Sequence, residues 1–531
     1  MAPLIQEHEV YKKICKANKP KAGVPGDLPK KLINEFSPEL AVPLARIFNS
    51  IMNTAKQGPA KWPTSWKQEF GTPLQKIPEP QTEDDLRIIS LTAFFSKAME
   101  KFVVEWLLLY IGDKLDTMQF GGLKGNSISH YVIELINFFL FNQDYNLPSA
   151  ILACAIDFSK AFNRQNHNIL IRKLSDMGVP GWLLNLVMGF LADRVMLVRY
   201  KGETTNCKPL PGGGPQGTLL GLLLFLVLIN DCGFEMKDES ESVGEIITKK
   251  KKKFQSPTLH TKYVDDLTIL EAINMKESLI TNPERALPDS YHSRLGLRLD
   301  PLKSKVYNQI ENIRNYANAN EMKLNVKKCE FILFNPTLSH DFVPELQIDG
   351  ELVETAEEIK LLGLTVRSDL SWKSNTKQIV TKAYKRIWMI KRLKNYGANL
   401  NDLKEVFFKQ IRTVLEFGAP VWNSGLTKAE SMDIERVQKA FLHIALGNTY
   451  QSYKIALEIA NMEPLEDRRT KLCTTFAKKC LKHPKHSAWF QHNVGAANTR
   501  SFKPNLKLPL HRLARFRDSP IPYLTNLLNK A

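Results

Sequence analysis

Two adjacent carboxylates, Asp265 and Asp266, stand between two runs of strand formers, His260-Thr261-Lys262-Tyr263-Val264 and Leu267-Thr268-Ile269-Leu270. The pattern predicts a tight hairpin with both acids at its bend, where neither escapes the other's charge. A divalent cation relieves such repulsion, although on this motif alone an exposed acidic turn explains the pair equally well. A third acid bears on the choice. Ala150-Ile151-Leu152-Ala153-Cys154-Ala155-Ile156 is nearly all apolar and reads as a buried strand that ends at Asp157. A carboxylate there costs desolvation unless a cation or a donor meets it. Together the three acids can hold two Mg²⁺ ions, hard cations that take oxygen ligands. Two metals roughly 4 Å apart suit nucleotidyl transfer, one activating the attacking oxygen and the other stabilising the leaving pyrophosphate.

Those acids need elements to position them. Pro38 to Lys56 has helical periodicity, with Leu40, Leu44, Ile47, Phe48 and Ile51 on one face, whereas the chain before Lys21 has little pattern. Pro59 to Pro80 reads as loops and short strands, and Phe94 to Asp113 and Ser127 to Phe141 as helices. Residues 165–177 and 181–192 form two further helices broken at Gly178-Val179-Pro180. Val195 to Tyr200 and Glu203 to Pro209 form a hairpin about Lys201-Gly202. Beyond Trp372 the chain turns helical, at Thr376 to Lys394, Asn401 to Leu415, Ala429 to Leu446 and Leu465 to Lys482. The last fifty residues carry little signal. Two polar stretches, Glu235 to Ser256 and Asn282 to Pro301, read as surface insertions. The first includes Lys249–Lys253, which could grip phosphates or act as a nuclear address, with a solvated loop the simpler reading.

Composition narrows the class. The 531 residues suffice for three or four domain-sized cores, and 73 Lys and Arg against 55 acids give +18, which implies an anionic partner such as nucleic acid. Seven scattered cysteines form no disulfide framework and suit a reducing compartment. Met1 to Pro20 is polar, with no signal peptide, and Leu219 to Ile229 is too short to span a membrane, reading instead as a buried helix. An intracellular protein, nuclear or cytoplasmic, without a membrane partner is expected.

The ordered motifs are more specific. The chain carries Leu86-Arg87-Ile88-Ile89-Ser90-Leu91, Gln119-Phe120-Gly121-Gly122-Leu123-Lys124-Gly125 and Asp157-Phe158-Ser159-Lys160-Ala161-Phe162-Asn163. Gly214-Pro215-Gln216-Gly217-Thr218-Leu219-Leu220-Gly221, Tyr263-Val264-Asp265-Asp266, Leu324-Asn325-Val326-Lys327-Lys328 and Leu361-Leu362-Gly363-Leu364 follow. The series resembles that of reverse transcriptases of non-LTR retrotransposons, of the LINE, jockey-like kind, from about Lys21 to about Gly447. The resemblance implies an α+β right-hand polymerase with an antiparallel palm sheet. Fingers and palm would fill 21–372 after an N-terminal segment 1–20, a helical thumb 373–447 and a helical extension 448–531. Lys382, Lys385, Arg386, Lys391, Arg392 and Lys394 crowd the first thumb helix.

The same resemblance implies roles. Asp157 and Asp265 bridge the metals, Asp266 completes the cluster less directly, and the Phe158 carbonyl is a further ligand. Phe162 lies under the incoming sugar, where its ring would exclude a 2′-hydroxyl. Lys76 and Arg87 meet the triphosphate, Gln216 contacts nucleotide or template, and Gly217 leaves room for the base pair. The Gly212–Gly217 run implies a backbone that approaches something closely. Lys328 donates a proton to the leaving pyrophosphate, with Lys327 its neighbour. Two departures stand out: Asn163 at an often acidic position, and Gly122-Leu123 in place of an aromatic–Arg pair.

The expected activity is RNA-directed DNA synthesis with dNTPs, Mg²⁺ (Mn²⁺ as a substitute), an RNA template and a DNA primer. Neither an endonuclease nor an RNase H motif set is expected within the chain. A catalytically decayed nucleic-acid-binding remnant is the alternative, and an RNA-dependent RNA polymerase is disfavoured by Tyr263-Val264 and Phe162. Cys473, Cys480, His483 and His486 have zinc-type side chains, but their spacing fits no familiar site and His483-Pro484 should end the helix, so zinc is not expected.

Overall fold

The structure is a computed structural model. It describes residues 2–15, 24–145, 149–200, 202–210, 212–233, 258–274, 279–281, 297–299, 304–334, 347–348, 350–493 and 506–531. The lysine run at Lys249–Lys253 and most of Asn282 to Pro301 lie outside these residues; within the latter, Leu297–Leu299 pairs antiparallel with Leu279–Thr281. In chain order the strands that position the candidate residues are β1 (Gln68–Gln75), β2 (Leu86–Leu91), β3 (Ser149–Ile156), β4 (Val195–Tyr200), β5 (Thr258–Tyr263), β6 (Asp266–Asn274), β7 (Glu330–Phe334) and β8 (Glu354–Thr355). The chain forms two compact units, each assembled from separate stretches of sequence.

One unit comprises Met1–Gly122, Asp157–Glu235 and Glu311–Asn325. Its sheet pairs β1 antiparallel with β2 and parallel with β4. The helix Ser37–Ala55 buries Leu44, Phe48, Ile51 and Met52, and the Phe48 ring meets Trp66 and Phe102 edge-on. Ile47, expected on that face, is 40% exposed, because Ala41 and Ala45 set the buried stripe one position away. Leu219–Leu228 is a short helix buried from Leu220 onward except at Leu222, and Thr218 caps it by accepting the Gly221 N–H. Beneath the sheet Arg194 Nε donates to Glu69 Oε1 at 2.5 Å, a buried pair. The segment before Lys21, expected to be featureless, contains a helix at Glu7–Ile14; its only apolar contribution, Val10 and Ile14, leaves too faint a stripe to read.

The other unit comprises Leu123–Ile156, Met236–Ile310 and Val326–Ala531. Its five-stranded sheet runs in the order β8-β7-β3-β6-β5, antiparallel except at the short β7–β8 edge. β3 is central, with strands on both sides, which is why Ala150 to Cys154 are all fully buried. The helix Ile128–Tyr145 lies on the sheet through Tyr131, whose hydroxyl meets Thr268 Oγ1 at 2.6 Å, and Phe139, stacked on Phe334 at 4.2 Å. Helices Lys373–Asn395, Lys428–Leu446 and Leu465–Leu481 match the sequence reading. The expected helix at 401–415 contains a π-helical stretch, Phe407–Arg412, and the C-terminus ends in a helix, Pro520–Lys530. Among the described residues no helix is long and apolar enough to cross a membrane.

Candidate active site

β5 and β6 meet in a two-residue turn, Val264-Asp265, with Tyr263 paired to Asp266. Val264 has φ 61°. A turn this short needs a positive φ at its first central residue, where glycine is usual; a β-branched residue held there stores roughly 1–3 kcal/mol of strain. The hairpin reading therefore holds, with Asp265 half-buried at the bend and Asp266 exposed at the start of β6. Tyr131 braces the hairpin, its ring edge-on to Tyr263 at 5.9 Å. Burial, with the Asp266 charge adding to it, pushes the Tyr131 phenol up to about 12, so it stays a protonated donor. In the same sheet β3 ends at Ile156, opposite Leu267, the residue after Asp266. β7 starts at Glu330, opposite Ala155, two positions beyond Lys328, which lies exposed in the 3₁₀ turn Val326–Lys328.

In the first unit Asp157 is half-buried and tied to Asn325. The Asn325 N–H donates to the Asp157 carbonyl at 2.9 Å, and its side-chain amide donates to Asp157 Oδ2 at 3.2 Å. Buried Phe158 bridges to Leu324, and the Ser159 N–H donates to the Lys323 carbonyl at 2.7 Å. Phe162, half-buried, stacks on Phe225 with centroids 4.6 Å apart. The glycine loop lies on this turn: Gly214 N–H donates to the Phe162 carbonyl at 2.9 Å and Gly213 N–H to the Gln165 carbonyl at 3.0 Å. A Cβ on Gly213, where φ is +82°, would meet the Asn163 backbone at 3.0 Å. On the other side the Ser90 N–H of β2 donates to the Gln216 carbonyl at 2.9 Å, and a Cβ on Gly217 would lie 3.2 Å from the Ser90 carbonyl. The close approach read from these glycines is thus to two backbone segments at once.

Arg87 pairs with Leu74 across the β1–β2 ribbon, and the Lys76 N–H donates to the Asp85 carbonyl at 2.8 Å. Residues opposite each other, and two apart along a strand, share a face, so Lys76 and Arg87 are diagonal neighbours on one exposed face. Arg87 lies three residues, about 10 Å, before Ser90 along β2.

Three residues here escaped the sequence reading. Asn325 was within a quoted motif without a role. Glu100, fully buried, accepts from the Leu220 N–H behind the glycine loop. Gln165 is 1% exposed, its side-chain amide lies against Gly214, and neither amide atom makes a hydrogen bond. A buried amide without partners costs about 1–3 kcal/mol. Gln165→Met, which keeps the length and removes the polar atoms, should raise the unfolding midpoint by the equivalent of about 1 kcal/mol. A lower midpoint in a thermal melt would show that the amide is satisfied.

Residues 77–366, more than half of the chain, match the reverse transcriptase (RNA-dependent DNA polymerase) family. The chain belongs to that family. Its fold class is accordingly the α+β right-hand polymerase expected from the motifs. The chain is 23% identical over 390 residues to the probable RNA-directed DNA polymerase from transposon BS of Drosophila melanogaster, covering 71% of this chain and 38% of that protein. It is 22% identical over 496 residues to the RNA-directed DNA polymerase from the mobile element jockey of the same fly, covering 91% of this chain and 48% of that protein. The chain therefore spans less than half the length of either relative. Apo telomerase from Candida Tropicalis matches 85% of this chain and 68% of its own at 14% identity, with a TM-score of 0.40.

Reverse transcriptases use divalent metal ions, and the fit here rests on donor chemistry. Asp157, Asp265 and Asp266 are carboxylates at strand ends, hard oxygen donors of the kind Mg²⁺ takes. Among the described residues no three His, Cys, Asp or Glu side chains are gathered tightly enough to hold a metal ion. The helix carrying Cys473 and Cys480 ends at Leu481, before His483 as expected. Cys480 Sγ instead lies 3.3 Å from His130 Nε2, and His486 stacks on His130 at 4.1 Å.

Proposed function

We propose that this reverse transcriptase extends a DNA primer 3′-hydroxyl on an RNA template with dNTPs, as the polymerase of a non-LTR, jockey-like element. The observation that supports it best is the strand register. β3 and β6 pair Ile156 with Leu267, and β3 and β7 pair Ala155 with Glu330. That register brings the end of β3 beside the start of β6, whose first residue is Asp266.

On this reading Asp157, Asp265, Asp266 and the Phe158 carbonyl would hold two Mg²⁺ ions. When bound, these supply activation of the attacking hydroxyl and charge compensation at the pyrophosphate. The chain's own residues do the rest. Asn325 holds the Asp157 carboxylate in one orientation, and the strained Val264 turn does the same for Asp265. Phe162, backed by Phe225, blocks a 2′-hydroxyl, Gln216 contacts nucleotide or template, and Gly217 leaves room for the base pair. Lys76 and Arg87 present cations from one ribbon face to the triphosphate. Lys328 gives the proton that the leaving pyrophosphate takes up.

We further assign residues 21–372 to fingers and palm, the helices of 373–447 to a thumb, and 448–531 to an extension. Such a chain works inside the cell, where RNA and dNTPs are. The test is primer extension on an RNA template with Mg²⁺: dNTPs are incorporated and NTPs are not. Template binding without extension would leave only a nucleic-acid-binding remnant, and a preference for NTPs would make the chain an RNA polymerase.

A further inference from the structure

The helix Lys373–Asn395 has two unlike faces. Ile379, Ala383, Ile387 and Ile390 are buried and pack toward the helix Lys428–Leu446. The opposite face, with Tyr384, Lys385, Trp388, Lys391 and Arg392, is exposed among the described residues, and the helix is lopsided in composition: across 23 residues there are eight Lys or Arg and no Asp or Glu. Aromatic rings are interleaved with those cations. Tyr384 is 43% exposed, Trp388 53% and Tyr396, just past the helix end, 80%. The Arg392 guanidinium lies 5.5 Å from the Trp388 ring centroid. Tyr384, Trp388, Lys391 and Arg392 recur at the four-, seven- and eight-residue spacings of one helical stripe.

Exposed large rings cost solvation and have no core role here, and a stripe of cations without acids repels any basic partner and attracts a polyanion. Phosphates alone would need only the cations. Rings set between them offer flat surfaces to bases whose own faces are open, which bases inside a duplex are not. We propose that this face binds an unpaired RNA strand, with Tyr384 and Trp388 stacking on successive bases and Lys385, Lys391 and Arg392 neutralising the phosphates between them. The choice of RNA over DNA rests on the polymerase reading above; the preference for an unpaired strand rests on the face itself.

The test uses the full chain, without dNTPs or metal, so that binding is read apart from polymerisation. Fluorescence anisotropy follows a labelled oligouridine of about 20 nucleotides, the same length of oligothymidine, and an RNA duplex. The double variant Tyr384→Ala/Trp388→Ala should bind the oligouridine at least about 30-fold more weakly, with the duplex affinity within about twofold of the parent. Trp388→Phe, which keeps a ring, should recover most of the loss. Lys385→Gln/Lys391→Gln/Arg392→Gln should instead flatten the dependence of log affinity on log salt by about two. All five of these side chains are exposed and lie off the buried stripe, so the thermal melts should coincide with the parent. Unchanged oligouridine binding by the ring variant, an equal loss on the duplex, or tighter binding of oligothymidine than oligouridine would overturn the proposal. Failure of primer extension with these binding differences intact would sink the polymerase reading and leave this face standing.

Discussion

Asp265→Asn is expected to reduce dNTP incorporation by at least ~10³-fold while leaving the thermal melt within about 0.5 kcal/mol of the parent. The substitution preserves size and hydrogen-bonding shape and removes only the charge. Asp265 is half-buried at the turn and not part of the sheet core, so the loss of its charge has little to do with folding. If the acid supplies a metal-bridging carboxylate, nothing else in the hairpin replaces it. Asp266→Asn should cost less, since that residue is exposed at the first position of β6. Primer extension at saturating template checks the pair. Activity of Asp265→Asn within tenfold of the parent would remove the hairpin from the chemistry. An unchanged RNA affinity in the same variant would show that binding and turnover are separate properties.

The parts of this protein that were legible in sequence are those in which neighbours in the chain are also neighbours in space. The hairpin at 263–266 announced itself because strand formers flank two acids, and the helix Leu219–Leu228 because its apolar run starts after a Pro-Gln-Gly turn. What stayed hidden needs long-range pairing. The sheet order β8-β7-β3-β6-β5 unites strands more than a hundred residues apart, and no periodicity within a strand names its partner. Asn325 meets Asp157 across 168 positions. Gln165 and Glu100 look like surface residues of amphipathic segments, and only the fold shows that both are buried. The π-helical stretch at Phe407–Arg412 escaped for a different reason, since one extra residue in a turn barely alters a helical pattern.

Glu100 and two histidines should pull the pH dependence of stability in opposite directions, and Glu100→Gln should remove the loss that sets in between pH 4.5 and about 7. Glu100 is fully buried, and burial pushes its carboxyl up from 4.5 to about 7, against the pull of the Leu220 N–H, Arg194 and Lys97. One carboxyl oxygen makes no hydrogen bond, which leaves the ionised form poorly compensated. Between pH 4.5 and about 7 the folded chain therefore holds a proton that the unfolded chain has lost. Stability contributed by the protonated acid is complete below the unfolded value and disappears as pH rises through the folded one. By pH 8 the loss is on the order of 3 kcal/mol, at 1.36 kcal/mol for each pKa unit. His130 and His486 act with the opposite sign. Burial first, then the neighbouring charges of His483, His130 and Lys485, hold His130 down at about 4 and His486 at about 3. The unfolded chain binds protons there from about 6.5 downward while the folded chain does not, so stability falls as pH drops below 6.5. Thermal unfolding across pH 5 to 9 checks both limbs. Glu100→Gln should be more stable than the parent at pH 8, nearly equal to it at pH 5, and should lose stability more steeply below pH 6.5, where the carboxyl no longer offsets the histidines. A gap between variant and parent that does not widen from pH 5 to pH 8 would mean that the carboxyl is already ionised and satisfied behind the glycine loop.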